Sequence, residues 1–366
     1  MDRRKFLAAG STLPAAAALG VHGPAQAQHK PFAPTPGRWR TFEVVTRVEL
    51  APGPGAADAW VPLPSVDDAW QQTLGHAWSG NATRVNVASD RRYGATMVHA
   101  HFDAAVGAPV VEVTSRFRAQ DRATDWGHPQ PATLDAAARA FWTAPTQLMP
   151  TDGIVRSTAR EITRGLRQDI EKTRAIYDWI VANTFREPKV RGCGTGDIRA
   201  MLETGNFGGK CGDINALFVG LNRAAGIPAR DVYGIRVAPC AFGYKELGAG
   251  PGVTRAQHCR AEVFLQGHGW VAMDPADVGK VMRLETAEWI RDPSHPLVAP
   301  VKARLFGGWE GNWLAYNVAH DVALPGAKGP RVGFFMYPEA ENGAGRFDSL
   351  DPDAFRYTIT SRELRT

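Results

Sequence analysis

The stretch Gly205-Asn206-Phe207-Gly208-Gly209-Lys210-Cys211-Gly212-Asp213 constrains this chain more than any other. Its glycines let the backbone turn tightly. Ile214, Leu217, Phe218 and Leu221 follow at helical spacing, which predicts a turn running straight into a helix with an inward stripe. Gly226 and Pro228 stand where such a helix stops. Cys211 therefore falls at or just before a helix N-terminus, where unpaired N–H groups and the positive end of the dipole favour a thiolate over a thiol. Those N–H groups, including that of Cys211 itself, are placed to receive the oxyanion of a tetrahedral intermediate. The stretch fails as a phosphate-binding loop, because Thr204 replaces the first glycine and Cys211 replaces the hydroxyl that would bind magnesium.

A thiolate nucleophile needs a base, and the base needs an orienting partner. Downstream, His258-Cys259-Arg260-Ala261-Glu262-Val263 alternates as a strand beginning at a histidine. After Gly267-His268-Gly269, a returning strand Trp270-Val271-Ala272-Met273 ends at Asp274-Pro275. For His258 and Asp274 to share a face, the turn must hold an odd number of residues or a bulge must intervene. Asp277 rivals Asp274 as orienter, but it lies beyond the proline that ends the strand. Cys259 alternates away from His258 and reads as core. Cys193 and Cys240 fall in loops, free or paired with each other in an oxidising compartment. With no C-x-x-C spacing, no metal site is expected, and no cofactor. Asp213 reads as a complement to the helix dipole.

These motifs, Gly-Gly-Lys-Cys-Gly-Asp (209 to 213 with Gly208), His-Cys-Arg-Ala-Glu-Val and Gly-Trp-Val-Ala-Met-Asp-Pro, occur in the order found in the transglutaminase-like superfamily, which the segment 169–278 resembles. The resemblance implies an α+β fold: a papain-like core with a helix-borne cysteine packed on an antiparallel sheet. It implies Cys211 as nucleophile, His258 as general acid and base, and Asp274 as the group orienting His258. The side-chain oxyanion donor of many relatives is not placed here; Trp179 and Asn183 lie upstream and are left out of the set. The implied activity is acyl transfer at an amide through a cysteinyl acyl-enzyme. Hydrolysis by a cysteine peptidase or amidase is expected, with amine-accepting crosslinking and a catalytically silent envelope scaffold or binding module as the alternatives.

Around this core, period-two segments at 42–48, 83–87 and 110–114 predict an N-terminal β domain over 28–130. A helix is expected over 168–184, a catalytic core over 131–290 and a C-terminal β extension over 291–366, with strands at 332–336 and 355–360. Trp309, Trp313 and Tyr316 read as interdomain packing, with a sugar or peptide platform as the alternative. Residues 1–27 carry Arg3-Arg4-Lys5-Phe6-Leu7, a short apolar stretch and Ala25-Gln26-Ala27, the three parts of an export signal of twin-arginine type cleaved after Ala27. The mature chain is expected in the periplasm or outside the cell, with no integral membrane span. The 42 Lys and Arg and 37 Asp and Glu of the full sequence are scattered along it, which argues against nucleic acid as a partner. A peptide or protein amide is the expected substrate, cell-wall peptide among them; the sequence leaves substrate identity and oligomeric state open.

Overall fold

Alternation of buried and exposed residues builds the first part of the molecule. Along strand Val110–Ala119 every second side chain from Val111 onward is buried, as a sheet with one covered face requires. That strand lies in a four-stranded antiparallel sheet ordered Tyr357–Leu364, Arg40–Glu49, Val110–Ala119, Gln71–Gly80. A five-stranded sheet joins Ala57–Pro62, Thr96–Phe102 and Arg84–Ser89 to two short strands, Glu339–Asn342 and Gly345–Arg346. Strands from the end of the sequence thus complete both N-terminal sheets. The computed structural model describes residues 30–51, 53–351 and 355–365; the expected signal and its cleavage point lie outside them.

A third antiparallel sheet, ordered Gly269–Met273, Gln257–Leu265, Ala229–Arg236, Trp313–Asn317, carries the second half. Helix Cys211–Ala224 packs on it and is buried from Cys211 through Arg223. A helix covered on all sides must satisfy its polar side chains internally. Asn222 accepts a hydrogen bond from Thr173 Oγ1 at 2.9 Å, and Arg223 Nε donates to the Ala229 carbonyl at 2.7 Å. Helix Asp169–Asn183 covers it from one side, burying Thr173, Ile176, Tyr177, Ile180 and Val181. Close approach also explains Gly220, where a Cβ would come within 2.2 Å of Ile198 Cδ1.

This is the expected mixture of helices and antiparallel sheet around a helix-borne cysteine. Among the elements that went unread are helix Gly153–Ile162 and strand Trp313–Asn317. Trp309, Trp313 and Tyr316 are buried, at 1, 1 and 2% exposure, so no sugar or peptide platform forms from them. Trp309 and Trp313 pack against Trp70, and the Arg260 guanidinium sits 4.6 Å from the Trp313 ring.

Buried Glu262 ties the N-terminal region to this third sheet, pairing with Arg122 at 2.5 Å and with Arg230 at 2.6 Å. Burial opposes its charge, but the two guanidiniums hold its carboxyl below the usual range. Removing a partner from such a cluster leaves uncompensated charge, so Glu262→Ala is expected to lower unfolding free energy by about 3 kcal/mol. Denaturant titration checks this; a loss under about 1 kcal/mol, the scale of an exposed pair, would show that the cluster carries no such load.

Candidate functional site

Cys211 is the first residue of its helix and is 2% exposed. The approach turns at Gly205, whose φ of +66° is a left-handed conformation. The first turn of the helix is fastened to the loop before it. Asp213 accepts hydrogen bonds from the N–H groups of Thr195, Gly196 and Lys210 at 2.8, 2.9 and 3.0 Å. This is more than dipole complementation: the carboxylate staples two loops to the helix start. A Cβ on Gly194, itself at φ +89°, would lie 1.8 Å from Asp213 Oδ2. The Gly212 N–H donates to the Cys193 carbonyl at 2.8 Å, so it is not free for an oxyanion as the sequence suggested. The N–H of Cys211 itself has no partner among the described residues.

His258 stands near the start of strand Gln257–Leu265 and is 3% exposed. Its Nε2 donates to Asp274 Oδ2 at 2.7 Å and lies 3.4 Å from Asp277 Oδ1. Nδ1 is left for the sulfur. The hairpin register pairs Leu265 with Gly269, leaving three residues, 266–268, in the turn. That odd number puts Asp274 on the histidine's face. Asp274 also caps helix Pro275–Leu284, accepting from the Asp277 N–H, and receives Asn215 Nδ2 at 3.2 Å. Asp277 is gripped by Arg236 Nη2 at 2.5 and 2.7 Å. The structure therefore brings both candidate carboxylates to His258, with the shorter contact going to Asp274.

These contacts set the charges. Burial and the Arg236 charge oppose protonation of His258, yet Asp277 and Asp274 outweigh them and raise it to about 9. Hydrogen bonds with Cys193 and Cys259, then the His258 imidazole and its charge, hold Cys211 well below the usual thiol range against the effect of burial. Burial and the Asp277 charge raise Asp274. Asp277 is held low by Arg236 and His258 although burial opposes it. The arrangement favours a thiolate facing an imidazolium.

The sulfurs of Cys193, Cys211 and Cys259 lie within 4.8 Å of one another. Cys259 is core, as expected, but its sulfur faces the cysteine helix. Cys193 donates to the Gln257 carbonyl at 3.4 Å, and Cys240 is half-buried elsewhere; all four thiols are free. The three sulfurs have the donor chemistry to hold a soft cation, which spacing along the chain did not reveal. His258, Asp274 and Asp277 also converge, but the Arg236 guanidinium already occupies Asp277. A cavity of about 320 Å³ reaches Lys210, the residue before Cys211, and is lined also by Arg186, Cys193, Gln257 and Tyr337 among others. Gln257 Nε2 is buried without a partner. Neither Trp179 nor Asn183 joins the group: Trp179 packs on Phe207, and Asn183 bonds the Trp179 carbonyl. Asn215, missed in the sequence, sits four residues after Cys211 and so one turn along the same helix face, a signal that spacing could have supplied.

The family model for the transglutaminase-like superfamily matches residues 156–275, a span that holds Cys211, His258 and Asp274. An uncharacterised protein of Haemophilus influenzae is 35% identical over 327 residues, covering 85% of this chain and 87% of the relative. The chain belongs to the transglutaminase-like superfamily. A solved structure from Cytophaga hutchinsonii, named as a candidate cysteine protease, shares the superfamily fold with a TM-score of 0.54 at 14% identity, over 90% of this chain and 92% of that one. The periplasmic domain of TgpA from Pseudomonas aeruginosa aligns at a TM-score of 0.35 and 18% identity, over 65% and 75%. No helix among the described residues is long and apolar enough to cross a membrane.

Burial and Glu310 push the Cys240 thiol up to about 12, whereas Cys211 is held low. Iodoacetamide at about pH 6 is therefore expected to alkylate Cys211 at least about 100-fold faster than Cys240, read by peptide mass spectrometry. Equal slow rates at both would remove the case for a thiolate.

Proposed function

We propose that this protein is an exported cysteine peptidase or amidase in which Cys211 is the nucleophile, His258 the general acid and base, and Asp274 the group that orients His258. The observation that carries the reading is the 2.7 Å bond from His258 Nε2 to Asp274, which leaves the other ring nitrogen for a thiol held low at a helix N-terminus. The thiolate attacks an amide carbonyl, and the carbonyl electrons move to oxygen. The Cys211 N–H supports that oxyanion, and the unpartnered amide of Gln257, lining the same cavity, supports it as a second donor. Collapse expels the amine, which takes the proton from His258. The neutral imidazole then accepts a proton from water as it attacks the thioester, releasing the acyl product with the thiolate as leaving group and restoring the thiolate–imidazolium pair.

Enclosure favours water as the acceptor. Cys211 is almost wholly covered, which suits water better than a lysine borne on a second protein. In this reading the core at 131–290 does the chemistry, and the β regions at 28–130 and 291–366 frame it. The Arg3-Arg4 pair and the apolar stretch after it support a location in the periplasm or beyond.

Mass spectrometry of the mature protein incubated with envelope peptides is expected to trap an acyl adduct on Cys211 that Cys211→Ala lacks; free lysine-to-glutamine crosslinks in the same mixture would instead indicate the transglutaminase alternative, and no adduct would favour the silent scaffold. Asp274→Asn is expected to lower kcat by about 10³-fold or more through loss of the oriented imidazolium. Gln257→Ala is expected to cost about 10²-fold in kcat with little change in KM. The pH profile follows from the signs of the shifts. Activity needs thiolate and imidazolium together, so it persists well below neutrality and falls as His258 loses its proton near pH 9. An alkaline limb below about pH 7, where an unperturbed histidine titrates, would contradict the assigned pair.

A further inference from the structure

The cavity at Lys210 and Cys193 has a neighbour. It shares Thr254, Arg255 and Tyr357 with a larger depression of about 740 Å³, so the two adjoin, and together they are treated as one groove. Its inner end reaches Lys210 and Cys193 on the cysteine side and Gln257 on the histidine side. From the inner end outward the walls present Arg186, Lys210, Arg191, Arg255, Arg47 and Arg356. Among the described lining residues Glu49 is the one carboxylate, paired with Arg47 at 2.8 Å and Arg356 at 3.8 Å, and Arg191 is paired with Asp348 at 2.6 Å.

The two inner cations are the informative ones. Neither Arg186 nor Lys210 forms an ion pair among the described residues, and Arg186 Nε is buried with no hydrogen-bond partner. The Lys210 ammonium is pulled below its usual range by burial and by the Arg186 charge. Two like charges have thus been brought together near the reacting sulfur; Asp213 and the Cys193 and Cys211 sulfurs offset the Lys210 charge only in part, and no carboxylate among the described residues is ion-paired with either cation. The cost of that juxtaposition falls when an anion enters. The thiolate does not forbid one, since the His258 imidazolium balances it.

We propose that this groove selects an anionic peptide, an acyl donor with carboxylates on the residues flanking the scissile amide, held by Arg186 and Lys210 next to Cys211 and by Arg255, Arg47 and Arg356 farther out. The inference rests on the reading of Cys211 as nucleophile and names the substrate class for that site. A polyanion without an amide, such as a nucleic acid, would meet the same charges but offers no acyl carbon to the thiolate.

Three peptidyl vinyl sulfones, identical except for a pair of glutamate, glutamine or lysine residues before the warhead, test this on the mature protein through the second-order rate of Cys211 alkylation. The glutamate probe is expected to react about ten-fold faster than the glutamine probe at low salt, with the lysine probe slowest. That advantage is expected to shrink several-fold in about 0.5 M NaCl, where exposed charges are screened within a few ångströms. Within Arg186→Gln and within Lys210→Gln, the glutamate-to-glutamine ratio is expected to drop by about three-fold or more. Because the ratio is taken inside each variant, a change in sulfur reactivity cancels. Equal rates for all three probes, or a preference for lysine, would overturn the anionic assignment and leave Cys211 as nucleophile. Failure of every probe to modify Cys211 would remove both.

Discussion

A carboxylate with no access to water can stay charged only when its surroundings replace what water gave it. Asp274 is such a group, at 0% exposure, and much of the molecule is arranged to keep it. It receives the His258 ring, the Asn215 amide and the Asp277 N–H, with Arg260 Nε 3.7 Å away. Asp277 in turn needs Arg236, and Arg260 needs the faces of Trp309 and Trp313. With Cys211 as thiolate and His258 protonated, three negative groups stand against three positive ones. They come from four elements, the cysteine helix, the capped start of helix Pro275–Leu284 and the strands carrying His258 with Arg260 and Arg236, so the sheet, both helices and the buried tryptophans are all conditions of one hydrogen bond.

The parts of this arrangement visible in the sequence are those written in local spacing. Glycines before an apolar run located the helix start within a residue, and alternation located the two strands of the hairpin. Hairpin parity limited the turn to an odd number without saying which, and the three-residue loop supplies it. Partners brought in from afar were not legible. Arg236 lies on the neighbouring strand with nothing in its own surroundings to announce Asp277, forty-one residues away. Cys193 read as a loop thiol because its approach to Cys211 is made by the Asp213 staple, a contact between backbone N–H groups and a carboxylate that no residue pattern encodes. Of the strands after 284 only those near 332–336 and 355–360 were legible; Trp313–Asn317 and Glu339–Asn342 are short and pair with strands far upstream.

Charge shows the same divide between sequence and space. The basic residues are scattered along the chain, and the net balance of +5 is modest. Folding nevertheless gathers Arg47, Arg186, Lys210, Arg255 and Arg356, drawn from both halves, onto the walls of one groove. Net charge speaks to the surface as a whole, while a binding site depends on which few groups the topology makes neighbours.

The strand Tyr357–Leu364 closes the first sheet and also grips the ribbon that leads to His258. The Val253 N–H bonds the Ile359 carbonyl at 2.9 Å, the Ile359 N–H bonds Thr254 Oγ1 at 2.8 Å, and the Ser361 N–H bonds the Pro251 carbonyl at 2.9 Å. During translation, then, the histidine's mooring is missing until residues 357–361 have been made. A growing chain holds its cysteine about 150 residues before it can hold the imidazole in place, so the order of synthesis delays the arming of the thiol.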